Sequence, residues 1–193
     1  MENTGTGENV SHLREFYHDN GKLKIRYNLI NGKMEGICET WYENGQLCEK
    51  YNNANGEKNG LYEAWFVNGK KKEVHHYLND ELHGPFILWY LNGNLLKSWN
   101  FVNNKRDGLF EEFFENGKLD VSSNYKNDLL HGDYEARFKN GNIKEKSSYV
   151  NGKLHGLVQK WYATGQIKEK GNYINGKKDG PIEKWNKNGE KKD

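Results

Sequence analysis

Apolar and polar residues alternate with a period of two along most of the chain, in short runs separated by Asn-Gly or a close equivalent. The stretch WYENGQL, Trp41 to Leu47, is typical. It returns as WFVNGKK at Trp65, WYLNGNL at Trp89, FFENGKL at Phe113, RFKNGNI at Arg137, WYATGQI at Trp161 and WNKNGEK at Trp185. Asn-Gly between alternating runs is a strong hairpin signal, because a type I′ turn needs positive φ at both central residues. Gly meets that need at little steric cost and Asn tolerates it. A second corner follows each hairpin, where an Asn precedes Gly32, Gly56, Asp80, Asn104, Asp128, Gly152 or Gly176. Both corners therefore read as turns, and each unit as two strands of roughly seven residues. Pro85 and Pro181 share a column at the start of a strand, where proline is tolerated.

The units are counted out at a fixed interval. Gly36, Gly60, Gly84, Gly108, Gly132, Gly156 and Gly180 are each 24 residues apart. A second glycine column runs from Gly21 through Gly45 to Gly189, and an asparagine column from Asn31 to Asn175, with the same step of 24. A period in this range marks a repeat array. The pattern predicts an all-β fold: an elongated, single-layer antiparallel β-meander of stacked hairpins, twisted, with no helical domain. Residues 1–11 read as a flexible polar segment, 12–189 as the array and 190–193 as a charged tail. Within the array, a partial unit covers 12–35, full units start at 36, 60, 84, 108, 132 and 156, and a partial unit covers 180–189. At about 4.8 Å between strands, each repeat adds roughly 10 Å of sheet and the array spans roughly 70–80 Å.

Centring the first corner on Asn44-Gly45 pairs Tyr42 with Leu47, Trp41 with Cys48 and Glu39 with Lys50. Alternation then assigns two faces. One holds the column from Cys38 and Tyr62 to Ile182, together with Tyr42 and its equivalents, Leu47, Leu95, Leu119, Ile143 and Ile167, and Tyr77, Phe101, Tyr125, Tyr149 and Tyr173. This nearly continuous apolar surface is the expected core face. The other face carries Trp41, Trp65, Trp89, Phe113, Trp161 and Trp185, interleaved with Glu39, Glu63, Glu111, Glu135 and Glu183. Those six rings are the candidate partner-binding residues, because exposed Trp and Tyr dominate binding hot spots. Their alternative role is packing between neighbouring hairpins. Arg137 and Asp133 interrupt the column within a single repeat.

Composition narrows the function classes. Mean hydropathy is −1.09 and apolar residues are 34%, values that lean toward disorder, yet 13% of residues are aromatic, which favours a folded chain with a thin core. Residues 1–96 carry 10 Lys/Arg against 13 Asp/Glu, and residues 97–193 carry 19 against 14. That is a mild dipole along the chain rather than the dense basic patch of a nucleic-acid binder. Lys70, Lys71 and Lys72, with the C-terminal lysine cluster, are candidate contacts for an anionic lipid, although acidic residues lie interspersed with the lysines throughout.

No catalytic motif is present, neither G-x-S-x-G nor a P-loop nor H-E-x-x-H, and Gly5-Thr6-Gly7 is an isolated fragment. The reading is therefore a non-enzyme with no catalytic residues, cofactor or metal. His83, His131 and His155 recur at a corner, too far apart for a metal site and suited to a turn hydrogen bond. Cys38 and Cys48 fall on opposite faces, so no disulfide is expected. Without an apolar leader or spanning segment, the expectation is a soluble cytoplasmic protein.

The motif Asn151-Gly152-Lys153-Leu154-His155-Gly156, followed by an aromatic strand and another Asn-Gly, resembles the MORN repeat. The 24-residue spacing and the W-Y-x-N-G-x-φ core look most like its bacterial and viral variant, over about residues 12–189. The resemblance implies a non-catalytic β-meander scaffold that binds a protein partner, in some members as an antitoxin or immunity component. It also implies phosphoinositide binding and dimerisation as properties of some members. A homodimer through the open sheet ends and an anionic-lipid contact are the partner expectations besides a protein. Glu35, Asn59, Asp107 and Asp179 replace the motif histidine in four units.

Overall fold

The computed structural model describes residues 10–192. Residues 1–9, which include Gly5-Thr6-Gly7 and most of the polar N-terminal segment, and Asp193 of the charged tail lie outside the described residues. Among the described residues every regular element is a strand.

The chain forms two compact units, up to Leu82 and from His83. The first contains β1 (Ser11–Tyr17), β2 (Leu23–Ile30), β3 (Lys33–Met34), β4 (Gly36–Trp41), β5 (Leu47–Ala54), β6 (Glu57–Trp65) and β7 (Lys71–Leu78). Successive long strands pair antiparallel: β1 with β2, β2 with β4, then β4, β5, β6 and β7 in order. The second contains nearly all of β8 (Glu81–Trp89), then β9 (Leu95–Val102), β10 (Lys105–Arg106), β11 (Gly108–Phe113), β12 (Leu119–Lys126), β13 (Leu129–Arg137), β14 (Ile143–Val150), β15 (Lys153–Leu154), β16 (Gly156–Trp161), β17 (Ile167–Ile174), β18 (Lys177–Trp185) and β19 (Lys191–Lys192). Its long strands likewise pair antiparallel in sequence order.

The second corner of each repeat has the expected geometry. Asn31-Gly32, Asn79-Asp80 and Asn127-Asp128 have positive φ at both residues, as a type I′ turn requires. The first corner differs from the sequence expectation. Gly45 has φ 90°, but Asn44 is not in the left-handed region. Tyr42 N donates to Gln46 O at 2.9 Å and Gly45 N to Tyr42 O at 2.8 Å. This is a three-residue loop, a turn followed by a left-handed glycine in a bulge, rather than a two-residue I′ turn.

That extra residue changes the register. Glu39 pairs with Lys50 as expected, but Trp41 pairs with Leu47 and not with Cys48. The same shift recurs at Trp89 with Leu95, Phe113 with Leu119, Arg137 with Ile143 and Trp161 with Ile167. These Leu and Ile residues therefore leave the expected core face and join the tryptophan face, because a one-residue slip reverses side-chain direction.

The core lies along the middle row of the opposite face. In the first unit it runs Cys38, Tyr51, Tyr62, His75, each the cross-strand neighbour of the last. Tyr62 stacks on Tyr51 at 5.9 Å and on His75 at 4.3 Å. In the second unit Phe86 stacks on Trp99 at 4.8 Å, and Trp99 meets Phe110 at 5.8 Å. Further along the row Ser123, Ser147 and Val158 are buried, with Tyr134 between the two serines. A glycine column within the long strands marks a second bulge. Gly60 has φ 98°, and the register shifts between Tyr51 and Asn53 opposite it. Asn52 Nδ2 donates to Asn59 O at 2.9 Å and covers the bulged carbonyl.

Candidate partner-binding face

Trp41 and Trp65 in the first unit, and Trp89, Phe113, Trp161 and Trp185 in the second, all stand on the face opposite the core row. Each is half-buried. Their burial comes from the bulged cross-strand partner: Leu47, Leu95, Leu119 and Ile167 are likewise half-buried beside them. Two of the rings carry a cation. The Arg26 guanidinium lies 5.3 Å from the Trp41 ring and the Lys71 ammonium 5.7 Å from Trp65.

A ladder of charge runs alongside. Glu39 accepts from Arg26 at 2.7 Å and meets Lys50 at 3.4 Å. The Arg26 hydrogen bond outweighs partial burial and holds the Glu39 carboxyl below its usual range. Glu63 pairs with Lys71. In the second unit Glu135 sits between Arg137 at 2.5 Å and Lys146 at 3.2 Å, and Glu183 meets Lys191 at 2.7 Å. Arg137, which interrupts the aromatic column, is thus held by Glu135 and by Gly141 O at 3.0 Å. A groove of about 480 Å³ opens on this face in the same repeat, lined by Ser122, Asn124, Asp133, Glu135, Lys146 and Ser148. On its far margin the face exposes Ile37 and Leu61 in the first unit and Leu109 and Leu157 in the second. The column therefore mixes large rings, exposed aliphatics and fixed charges.

The tyrosine after Trp41, Trp89 and Trp161 ties one hairpin to the next. Tyr42 Oη donates to Trp65 O, Tyr90 Oη to Phe113 O and Tyr162 Oη to Trp185 O, at 2.8–2.9 Å. His18 Nε2 lies 2.8 Å from Trp41 O in the same role. The carbonyls of Trp41, Trp65, Phe113 and Trp185 are thereby fixed from the neighbouring repeat.

The lysine triplet is split by the strand geometry. Lys70 lies in the corner, Lys71 is drawn onto Glu63 and Trp65, and Lys72 is exposed on β7. The motif histidine acts at the corner: Asn151 N donates toward His131 Nδ1 at 3.5 Å. Glu35 serves the same place, accepting from Asn55 N at 2.8 Å. Among the described residues no cluster of His, Cys, Asp or Glu could hold a metal ion. Among the described residues no helix is long and apolar enough to cross a membrane.

Two features escaped the sequence reading. Trp99 stands in the core row and not in the tryptophan column. The Lys58 ammonium lies among three rings, 4.8 Å from Tyr51, 5.3 Å from Tyr62 and 5.2 Å from Tyr77. The Trp99 position follows from its offset of ten residues from Trp89, given the bulge. The lysine cage joins three strands and leaves no local pattern.

Among curated proteins, no match to the chain is found. The MORN repeat variant family matches it at residues 13–31, 34–53, 82–103, 106–127, 130–151 and 154–175. These matches cover more than half the chain and coincide with the hairpins described above, so the protein belongs to the MORN repeat variant family.

Proposed function

We propose that this chain is a non-catalytic scaffold whose tryptophan face binds a protein partner. MORN repeats serve in general as protein- or membrane-binding scaffolds and not as enzymes, so the class of function follows from the family. The observation that carries the choice of a protein is the aromatic column itself. Rings with aliphatic neighbours, bordered by fixed ion pairs, have the composition of an interface core with a polar rim. An antitoxin or immunity role is one form of such binding, and a toxin gene beside this one would support it.

The test uses the whole chain as bait in a native lysate, with Trp65→Ala and Trp89→Ala variants whose folding is checked by circular dichroism. A partner retained by the parent, lost with either variant and little affected by salt supports the reading. The lipid alternative rests on Lys70, Lys71 and Lys72. It requires instead that binding to phosphoinositide vesicles falls steeply with salt and disappears when those lysines are neutralised. Self-association through a sheet edge is favoured by β1, which is exposed along its length, with Leu13 63% exposed. A mass of 22.6 kDa by light scattering at high protein concentration would remove that option.

A further inference from the structure

The corner beside Trp161 has a feature the tryptophan column alone does not explain. The hairpin turns there through Ala163-Thr164, where most first corners carry a larger residue followed by Asn. A cleft of about 420 Å³ opens beside this corner, lined by Phe138, Trp161, Tyr162, Ala163, Lys168 and Lys187 together with Thr164. Its floor is firm. Tyr162 Oη donates to Trp185 O at 2.8 Å, and Ala163 O accepts from both Asn140 Nδ2 and Asn142 Nδ2 at 2.8 Å. The walls are mainly aromatic, and among the described residues no carboxylate lines the cleft.

Its charged rim has one sign. Lys168 Nζ lies 5.7 Å from the Tyr162 ring centroid. Among the described residues neither Lys168 nor Lys187 forms an ion pair, whereas lysines elsewhere on the sheet, such as Lys97, Lys146 and Lys191, do. The corner cleft of the first unit, beside Trp41 and Tyr42, has Glu43 on its rim and no lysine. The unit from His83 carries 19 Lys/Arg against 14 Asp/Glu, and the unit up to Leu82 carries 10 against 13. The two corner clefts thus share an architecture and differ in charge.

We infer that the Trp161 cleft receives one apolar side chain from an acidic segment of a partner protein, with the flanking carboxylates placed on Lys168 and Lys187. This inference rests on the protein-binding reading and adds the chemistry of the partner. An apolar anchor in an aromatic pocket supplies contact area, and unpaired ammonium groups at the rim select carboxylates and speed encounter. The concave apolar wall favours a side chain over a lipid headgroup, which would use the charges and leave the rings unfilled.

The experiment is a fluorescence anisotropy titration of the full chain with an acetylated, fluorescein-labelled peptide, Asp-Glu-Phe-Glu-Asp. Parallel titrations use the same peptide with Phe replaced by Gly, and phosphatidylcholine vesicles carrying a phosphatidylinositol bisphosphate. Three variants accompany the parent: Lys168→Gln/Lys187→Gln, Ala163→Leu to fill the cleft, and Lys153→Gln/Lys177→Gln as a charge-matched control away from it. The expected result is about a fivefold to tenfold loss of affinity in the first variant, the scale of two partly exposed charge pairs. Ala163→Leu and the Gly peptide should show a comparable loss, and the control almost none. The inference is overturned by equal losses in the control pair, by binding indifferent to the Phe, or by vesicles bound with the same variant dependence while the peptide is not. If the peptide fails but partner capture still depends on Trp65 and Trp89, only the acidic-anchor inference falls. If the peptide binds and capture ignores those tryptophans, the proposed face is wrong and the cleft stands.

Discussion

At Asn20, Asn44, Asn92 and Asn140 the asparagine before the first-corner glycine uses both ends of its amide. Asn44 Oδ1 accepts from Gln46 N at 3.0 Å, closing its own turn, and Nδ2 donates to Val67 O at 3.0 Å in the next hairpin. Asn92 and Asn140 do the same to Glu115 O and Ala163 O. Neither Asp nor Ser offers that acceptor and donor together at this reach, which accounts for Asn at the position. Thr164 breaks the series; its hydroxyl turns to Gln166 within its own corner. Thr164→Asn should therefore raise stability by about 0.5–1 kcal/mol, the net value of one added hydrogen bond. An unchanged urea midpoint would count against the ladder as a stabilising device. Lys58 is a second case settled by one side chain. Its ammonium, 4.8–5.3 Å from three tyrosine rings, should be worth about 0.5–2 kcal/mol. Lys58→Met keeps the stem and removes the charge, so its thermal midpoint should fall, while Lys58→Arg retains most of the contact.

At the scale of the hairpin, the sequence located each strand and each corner but misjudged one corner type. Asn-Gly puts glycine at positive φ in both a two-residue I′ turn and a three-residue bulged loop. What separates them is which backbone groups close the loop, here Tyr42 N on Gln46 O, and no residue type reports that. The one-residue difference carried Leu47 and its equivalents to the wrong face in the reading, while Trp41 and Glu39, upstream of the bulge, stayed where alternation placed them. The middle row also records how neighbouring strands share volume. An added Cβ at Gly171 would lie 2.2 Å from Ile182 Cδ1, so Ile182 occupies the space a side chain would need. One repeat earlier the same two positions hold Ser147 and Val158, both buried. Gly171→Ser alone should destabilise by about 1–3 kcal/mol through overpacking. Gly171→Ser with Ile182→Val recreates the earlier pair and should recover most of that loss. Additive costs in a double-mutant cycle would show that the two sites do not share volume.

For the molecule as a whole, the period was legible because the same backbone demand recurs every 24 residues and admits few residue types. The candidate face was legible for a related reason: its rings lie upstream of the bulge, in the part of each strand where alternation holds. The corner cleft and the Lys58 cage were not, since each gathers side chains from different strands and depends on their size and reach. The same thin core predicts how the fold responds to alkali. Burial is the main cause that raises the phenol pKa of Tyr51, Tyr62 and Tyr77 in the first unit and of Tyr134 and Tyr149 in the second. Tyr42 is pushed up to about 12, chiefly by its hydrogen bond with Cys48 and then by burial. With raised folded values, the unfolded chain releases these protons first, near the ordinary phenol pKa of about 10. Their contribution to stability is therefore complete below pH of about 10 and is lost as pH rises from there through the folded values. The expected outcome is a cooperative alkaline transition in which phenolate absorbance and loss of β-sheet circular dichroism rise together. Tyr62→Phe removes one of the responsible protons, so its stability should fall less steeply with pH over that window. A gradual phenolate titration near the ordinary pKa, with the dichroism intact, would mean that the rings are open to water and that the core row does not hold the sheet.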